Sequence, residues 1–182
     1  MTILNTEDSL LVIIDIQEKL LNAAYNRTEI QNKAGILAKT AKILDIPCLI
    51  TEQYPKGLGN TISEILNNVS QNMTGFEKIQ FNALNEQGIL SAIEKSNRKQ
   101  IILAGIETHI CVRQTAFALV QKGFDVTVVK DCCGSRSEIE HLAGLDIMKQ
   151  EGCFIKTTEM VLFELLKSAK HPNFKEIQSM IK

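Results

Sequence analysis

Three residues of different chemistry stand where a parallel sheet presents side chains to a ligand. Asp15 lies inside the apolar run LVIIDIQ, Lys78 closes a short segment in GFEKIQF, and Cys111 follows an apolar segment in GIETHICV. A carboxylate in such a run must be hydrogen-bonded, charge-paired or functional, because burying it bare is costly. Cys111 falls in the first turn of the helix after its strand, where unpaired backbone N–H groups favour a thiolate and can hold an oxyanion. A carboxylate, an ammonium and a thiol together make a nucleophilic site. Asp15 would take the thiol proton, Lys78 would balance the carboxylate, and the helix start would stabilise the attacked oxygen. Taken singly, each has a plainer reading. A lone cysteine is a small buried residue and a lone lysine a solvated charge; Asp15 is the hardest to explain that way.

The elements that must position these groups follow from hydrophobic pattern. Residues 9–16 (SLLVIIDI) form a nearly continuous apolar run, the mark of a strand buried on both faces. Residues 28–44 place Ile30, Leu37, Ala41 and Leu44 at helical spacing, with Thr28 as the N-cap. Strands are expected at 47–51, 75–78, 100–106, 124–129 and 153–157. Helices are expected at 61–67, 86–96, 109–122 and 138–150, with further helical segments to the end. Gly123 and Gly152 sit where helix C-caps belong. Apolar strands alternating with amphipathic helices indicate βαβ units and a parallel sheet covered on both faces. Ligands then bind beyond the carboxyl ends of the strands, where strand order reverses. The least regular segment, residues 53–61 (QYPKGLGNT), is a turn-rich loop after a strand, a common place for function.

Composition narrows the class. The 182 residues suit one domain spanning 1–182, and 20 Lys and Arg against 21 Asp and Glu leave a formal charge of −1. That balance offers no electrostatic reason to expect nucleic acid or an anionic membrane. Asp15, Glu18 and Lys19 cut the longest early apolar stretch short of the ~18 residues a membrane span needs. The first residues lack a basic region and a small-residue cleavage site, so no signal peptide is expected. Five cysteines, an odd number, read as reduced thiols in a cytoplasmic protein. Known motifs fail. Gly57-Leu58-Gly59 lacks a third glycine, no phosphate loop or serine elbow occurs, and Cys132-Cys133 are adjacent rather than spaced for redox chemistry. His109, His141 and His171 form no ligand pair, so no metal is expected.

The stretches LLVIIDIQEKL, TEQYPKGLGNT, FEKIQF, GIETHICVRQTAFALVQKGFDVTVVKDCCGSRS and HPNFKEIQ resemble the isochorismatase-like cysteine hydrolase superfamily. Within it they are most similar to the isochorismatase domain-containing branch. The resemblance implies a single-domain three-layer α/β/α sandwich whose six-stranded parallel sheet has the order 3-2-1-4-5-6. It implies that Asp15, Lys78 and Cys111 are the catalytic triad and that a non-proline cis peptide joins Ile106 to Glu107. It further implies an oxyanion hole from the backbone N–H groups of Glu107 and Cys111, and a homo-oligomer acting on a small molecule. Nicotinamidases of the superfamily carry a D-x-H metal motif after the second strand. Here that region reads Thr51-Glu52-Gln53-Tyr54-Pro55, so neither that metal nor any other cofactor is expected.

Gln17, Gln53, Tyr54, Phe81 and His109 are the candidates to line the pocket. His109 reads equally well as a helix-start residue with a local hydrogen bond, and Tyr54 and Phe81 as packing. The expected function is cysteine-dependent hydrolysis of an amide or related C–N bond through a thioester on Cys111. In that mechanism Lys78 lowers the pKa of Asp15, and anionic Asp15 opposes premature thiol ionisation. Two alternatives stay open: vinyl-ether hydrolysis of the isochorismate type, and an oligomeric interaction protein with a vestigial site. A redox sensor pairing Cys111 with Cys132 or Cys133 is a weaker third.

Overall fold

Short apolar runs bury both faces of a strand only if helices cover both sides of the sheet, and the chain folds in that way. The computed structural model describes residues 3–71 and 73–182. Six strands run in chain order: β1 (Ser9–Ile14), β2 (Cys48–Gln53), β3 (Thr74–Lys78), β4 (Gln100–Ile106), β5 (Asp125–Gly134) and β6 (Phe154–Lys156). All neighbours pair in parallel, in the order β3-β2-β1-β4-β5-β6. The helices are α1 (Glu18–Ala23), α2 (Arg27–Ile43), α3 (Pro55–Leu58), α4 (Ser63–Leu66), α5 (Ile89–Lys95), α6 (Arg113–Gln121), α7 (Glu138–Gln150), α8 (Thr158–Leu166) and α9 (Phe174–Ser179).

Alternation along the central strand divides the core in two. Leu11 and Ile13 of β1 face a cluster with Ile30, Leu37 and Ala38 of α2 and Val161, Leu162 and Leu165 of α8. Leu10, Val12 and Ile14 face the other cluster, with Ile93 of α5, Ala116 and Leu119 of α6 and Leu145 of α7. This is the expected three-layer arrangement. The chain winds outward from β1 to β3, then returns to β4 on β1's other side. The switch point therefore lies between β1 and β4, where Ile14 is level with Gly105.

Several boundaries differ from the sequence expectation, each for a local reason. β1 stops at Ile14 rather than residue 16, because Asp15 takes a left-handed φ of 52° and turns the chain. The long second helix begins at Arg27 after Asn26, so Thr28 is inside it and does not cap it. The helix expected over residues 86–96 starts only at Ile89, after a 3-10 turn at Ala83–Asn85 and the positive φ of Gly88. The loop at 53–61 holds the short α3, and α1 follows β1 almost at once. β5 runs past residue 129 to Gly134, because its register against β4 shifts between Leu103 and Gly105. Such irregularity adds residues to one strand and re-aims the chain beyond it. Gly123 and Gly152 do come after helix ends, at φ of 82° and 97°. Among the described residues no helix is long and apolar enough to cross a membrane.

The five cysteines are all buried and unpaired. Burial pushes the thiols of Cys48, Cys133 and Cys153 up to about 12, from an ordinary 9.0. Above that ordinary value the unfolded chain sheds thiol protons that the folded chain keeps, so stability falls as pH rises from about 9 toward 12. The Cys48→Ala variant is expected to lose stability less steeply over that range, by about 1.4 kcal/mol per pH unit. Urea midpoints of both proteins at stepped alkaline pH measure this; parallel declines would refute it.

Candidate active site

Asp15, Lys78 and Cys111 are brought together from three strands. Asp15 follows β1 and has no exposed surface. Its left-handed turn is held by its N–H, which donates to the Thr51 carbonyl at 3.0 Å, and aspartate tolerates this backbone region better than most residues. Lys78 ends β3, two strands away, so its side chain must pass the end of β2 to reach β1. Strands ~4.8 Å apart set a gap that a lysine side chain can span. Its ammonium lies 2.7 Å from Asp15 Oδ2, with both side chains fully buried.

The groups around that pair supply most of its hydrogen bonds. Thr51 donates its hydroxyl to Asp15 Oδ1 at 2.7 Å. Oδ2 has no other hydrogen-bond partner and is held by charge. Lys78 Nζ also donates to Gln53 Oε1 and, at 3.1 Å, to the Gln80 carbonyl. Glu86 accepts from the N–H groups of Ile79 and Gln80, fixing the loop that supplies that carbonyl.

Burial dominates the electrostatics. Asp15 is raised above the ordinary carboxylate value by loss of water, although Lys78, Thr51 and Cys111 each pull it back. The expectation that Lys78 lowers Asp15 thus describes one contribution; desolvation outweighs it. Burial, reinforced by the Asp15 charge, pushes the Cys111 thiol up to about 12, and Lys78 opposes this. A thiol beside a carboxylate therefore rests protonated. Both members of the ion pair act electrostatically on Cys111, Asp15 raising the thiol and Lys78 lowering it, so the thiol lies within reach of the carboxylate.

The cysteine turn is itself unusual. The Ile106–Glu107 peptide is cis. Thr108–Val112 then form a π-helical turn before α6 begins, a device common at functional sites. Ile110 and Val112 both donate to the Glu107 carbonyl, at 3.1 and 3.2 Å, with Cys111 between them. Two glycines allow the close approach. A Cβ on Gly105 would lie 2.3 Å from the Ile14 carbonyl oxygen, and one on Gly144 would lie 2.9 Å from His109 Cα. The second contact seats α7 against the turn, and Thr108 Oγ1 meets His141 Nδ1 there at 2.9 Å.

The other expected pocket residues divide. Gln17 is fully buried. Its amide donates to the carbonyls of Gln53 and Gly59 and accepts from the Gln53 N–H. It braces the loop and does not line open space, because its amide is already engaged. Gln53 holds Lys78 and donates to the Ile79 carbonyl. Tyr54 and Phe81 are about half exposed, and Tyr54 borders a cavity of about 290 Å³ that includes Lys78. His109 Nδ1 meets Ser135 Oγ at 3.0 Å, and its Nε2 lies 3.6 Å from Glu140 Oε2. Sequence reasoning missed Thr51, Ser135, Arg136 and Gly144. Thr51 alone left a signal, as a hydroxyl ending the strand that pairs with β1.

A cavity of about 700 Å³ lies elsewhere, between α7, β6 and α8, lined by Leu142, Ile155 and Met160 among others, and contains none of the three reactive residues. Among the described residues no three His, Cys, Asp or Glu side chains converge as a metal site.

Known proteins share the family and the fold. Residues 9–160 match the isochorismatase domain family. A Danio rerio protein, isochorismatase domain-containing protein 2, is 38% identical over 178 residues, which are 98% of this chain and 89% of that one. The structure of a Caenorhabditis elegans protein described as MAR1 ribonuclease is 34% identical with a TM-score of 0.92, covering 98% of this chain and 91% of its own. The Escherichia coli YcaC product, described as an octameric hydrolase of unknown specificity, shares the fold at 24% identity and a TM-score of 0.88, over 98% and 95% of the two chains.

Gly144→Ala is expected to lift α7 from the cysteine turn, because the new methyl meets backbone that cannot rotate away. The expected cost is about 1–3 kcal/mol in urea unfolding, together with an altered rate of Cys111 alkylation. Unchanged stability and rate would show that the helix yields freely.

Proposed function

This chain belongs to the isochorismatase family, and from that premise we propose that it is a cysteine-dependent hydrolase cleaving an amide or related C–N bond of a small molecule. The observation that carries the reading is the buried carboxylate ion-paired with an ammonium, close enough to the Cys111 thiol for both charges to act on it. As the Cys111 sulfur attacks the carbonyl carbon, its proton passes to Asp15. The oxyanion is received by the backbone N–H groups of Glu107 and Cys111. Asp15 then returns the proton to the departing nitrogen as the C–N bond breaks, leaving an acyl thioester on Cys111. Water attacks the thioester with Asp15 as base, releasing the carboxylic acid and the thiol. Lys78 holds Asp15 and keeps the site neutral overall.

Tyr54, Phe81 and His109 border the entrance in this reading, while Gln17 and Gln53 brace it. The charge balance of −1 favours a small molecule over the RNA suggested by the description of the C. elegans protein. Five buried, unpaired thiols support a cytoplasmic setting. Ile139, Leu142, Met160 and Phe163, exposed on α7 and α8, support a homo-oligomer. Vinyl-ether hydrolysis differs in that protonation by Asp15 suffices and no thioester forms.

Cys111→Ala is expected to abolish amide turnover, and Asp15→Asn to reduce it ~100-fold or more, measured by acid release from a panel of small amides. Turnover surviving in Cys111→Ala would remove the thioester route and favour vinyl-ether cleavage. The rate should also fall with acidity as Asp15 gains its proton. Because the folded value lies above the ordinary 3.8, the acid limb of kcat/KM should be centred above that value. A limb centred at or below it would contradict Asp15 as the base.

A further inference from the structure

The irregularity in β5 has an outcome at the cysteine turn. Past the register shift, Gly134 pairs with Ile106. The next two residues therefore lie against the segment leading to Cys111. Ser135 meets the His109 ring through its hydroxyl. Arg136 donates its backbone N–H and its Nε to the same Glu107 oxygen, Oε1, at 3.2 and 2.9 Å. The Glu107 side chain is only 12% exposed, whereas that of Arg136 is 67% exposed.

Glu107 is thus held twice. Its carboxylate is fixed by Arg136, and its carbonyl accepts from Ile110 and Val112. Holding both restricts rotation of Glu107 and narrows the directions open to its backbone N–H. An ion pair with so exposed an arginine contributes little to stability. Its consequence lies in orientation, because stabilisation of a developing oxyanion depends on donor placement.

We propose that Arg136 is a positioning residue: through the Glu107 carboxylate it aims the Glu107 backbone N–H at the oxyanion formed when Cys111 attacks a carbonyl. The inference rests on the proposed acyl transfer to Cys111. It deepens that reading by giving a role to a surface charge that touches neither the thiol nor the ion pair.

The two chemistries of a thiol separate this role from a structural one. Attack on p-nitrophenyl acetate forms a tetrahedral oxyanion, expels p-nitrophenolate and leaves acetyl-Cys111. Attack on iodoacetamide displaces iodide at a saturated carbon and forms no oxyanion. The first rate is read as p-nitrophenolate release above that of Cys111→Ala, and the second as alkylated Cys111 by peptide mass spectrometry, for wild type, Arg136→Ala and Arg136→Lys. In Arg136→Ala, acetylation is expected to slow about tenfold, less than the hundredfold or more that outright loss of a donor costs. Alkylation should stay within about twofold of wild type, since no oxyanion donor is involved. Arg136→Lys, which restores a cation opposite Glu107, should recover part of the loss. Equal slowing of both reactions, or no slowing of acetylation, overturns the positioning role. Wild type that alkylates at Cys111 but releases p-nitrophenolate no faster than Cys111→Ala instead overturns the thioester reading, and this inference with it.

Discussion

The buried Asp15–Lys78 ion pair is the constraint around which the site is organised. Two charges removed from water recover their solvation only when the geometry is close and the remaining hydrogen-bonding capacity is met. Here Thr51, Gln53 and the Gln80 carbonyl supply it, drawn from the end of β2 and the loop after β3. The ends of three adjacent strands are thereby tied into one unit. Gln17 extends it by fastening the loop after β2 to the turn after β1. A pair held this closely sets where a proton can go.

That proton belongs to Cys111. Burial and the neighbouring carboxylate both favour the neutral thiol, and the nearby ammonium is already committed to Asp15. The resting group is therefore protected from adventitious electrophiles and oxidants, which react with the thiolate. In the proposed mechanism reactivity comes from transfer to Asp15 during attack, and a carboxylate raised by burial is a stronger base than an ordinary one. The same desolvation that makes the pair costly tunes its basicity.

The backbone does the remaining work. The π-helical turn sets Cys111 apart from the donors that share the Glu107 carbonyl. The extra length in β5 carries Ser135 and Arg136 to that turn, and Gly144 lets α7 close over it. None of these features touches the reacting atoms. Each limits how far the turn can move, and donor placement is what the proposed acyl transfer would be most sensitive to.

The sequence by itself determined the layer architecture. Apolar runs such as SLLVIIDI can be buried only in a sheet covered on both faces, and their alternation with helical periodicity gives parallel strands. It also made Asp15 conspicuous, since a carboxylate in such a run needs a partner. Resemblance supplied the strand order, the triad and the cis peptide position. Tertiary structure alone decided the rest. Whether Lys78 or water meets Asp15 depends on which strand ends lie side by side, and the sign of the Asp15 shift on how burial compares with one opposing charge. β5 could not be followed past residue 129 because Lys130 and Asp131 interrupt the apolar pattern, while its pairing with β4 resumes beyond them at Cys133. Hydrophobic pattern reports what must leave water. Register, helix seating and the hydrogen bonds of Arg136 depend on distances between segments remote in the chain, and only the folded molecule supplies those.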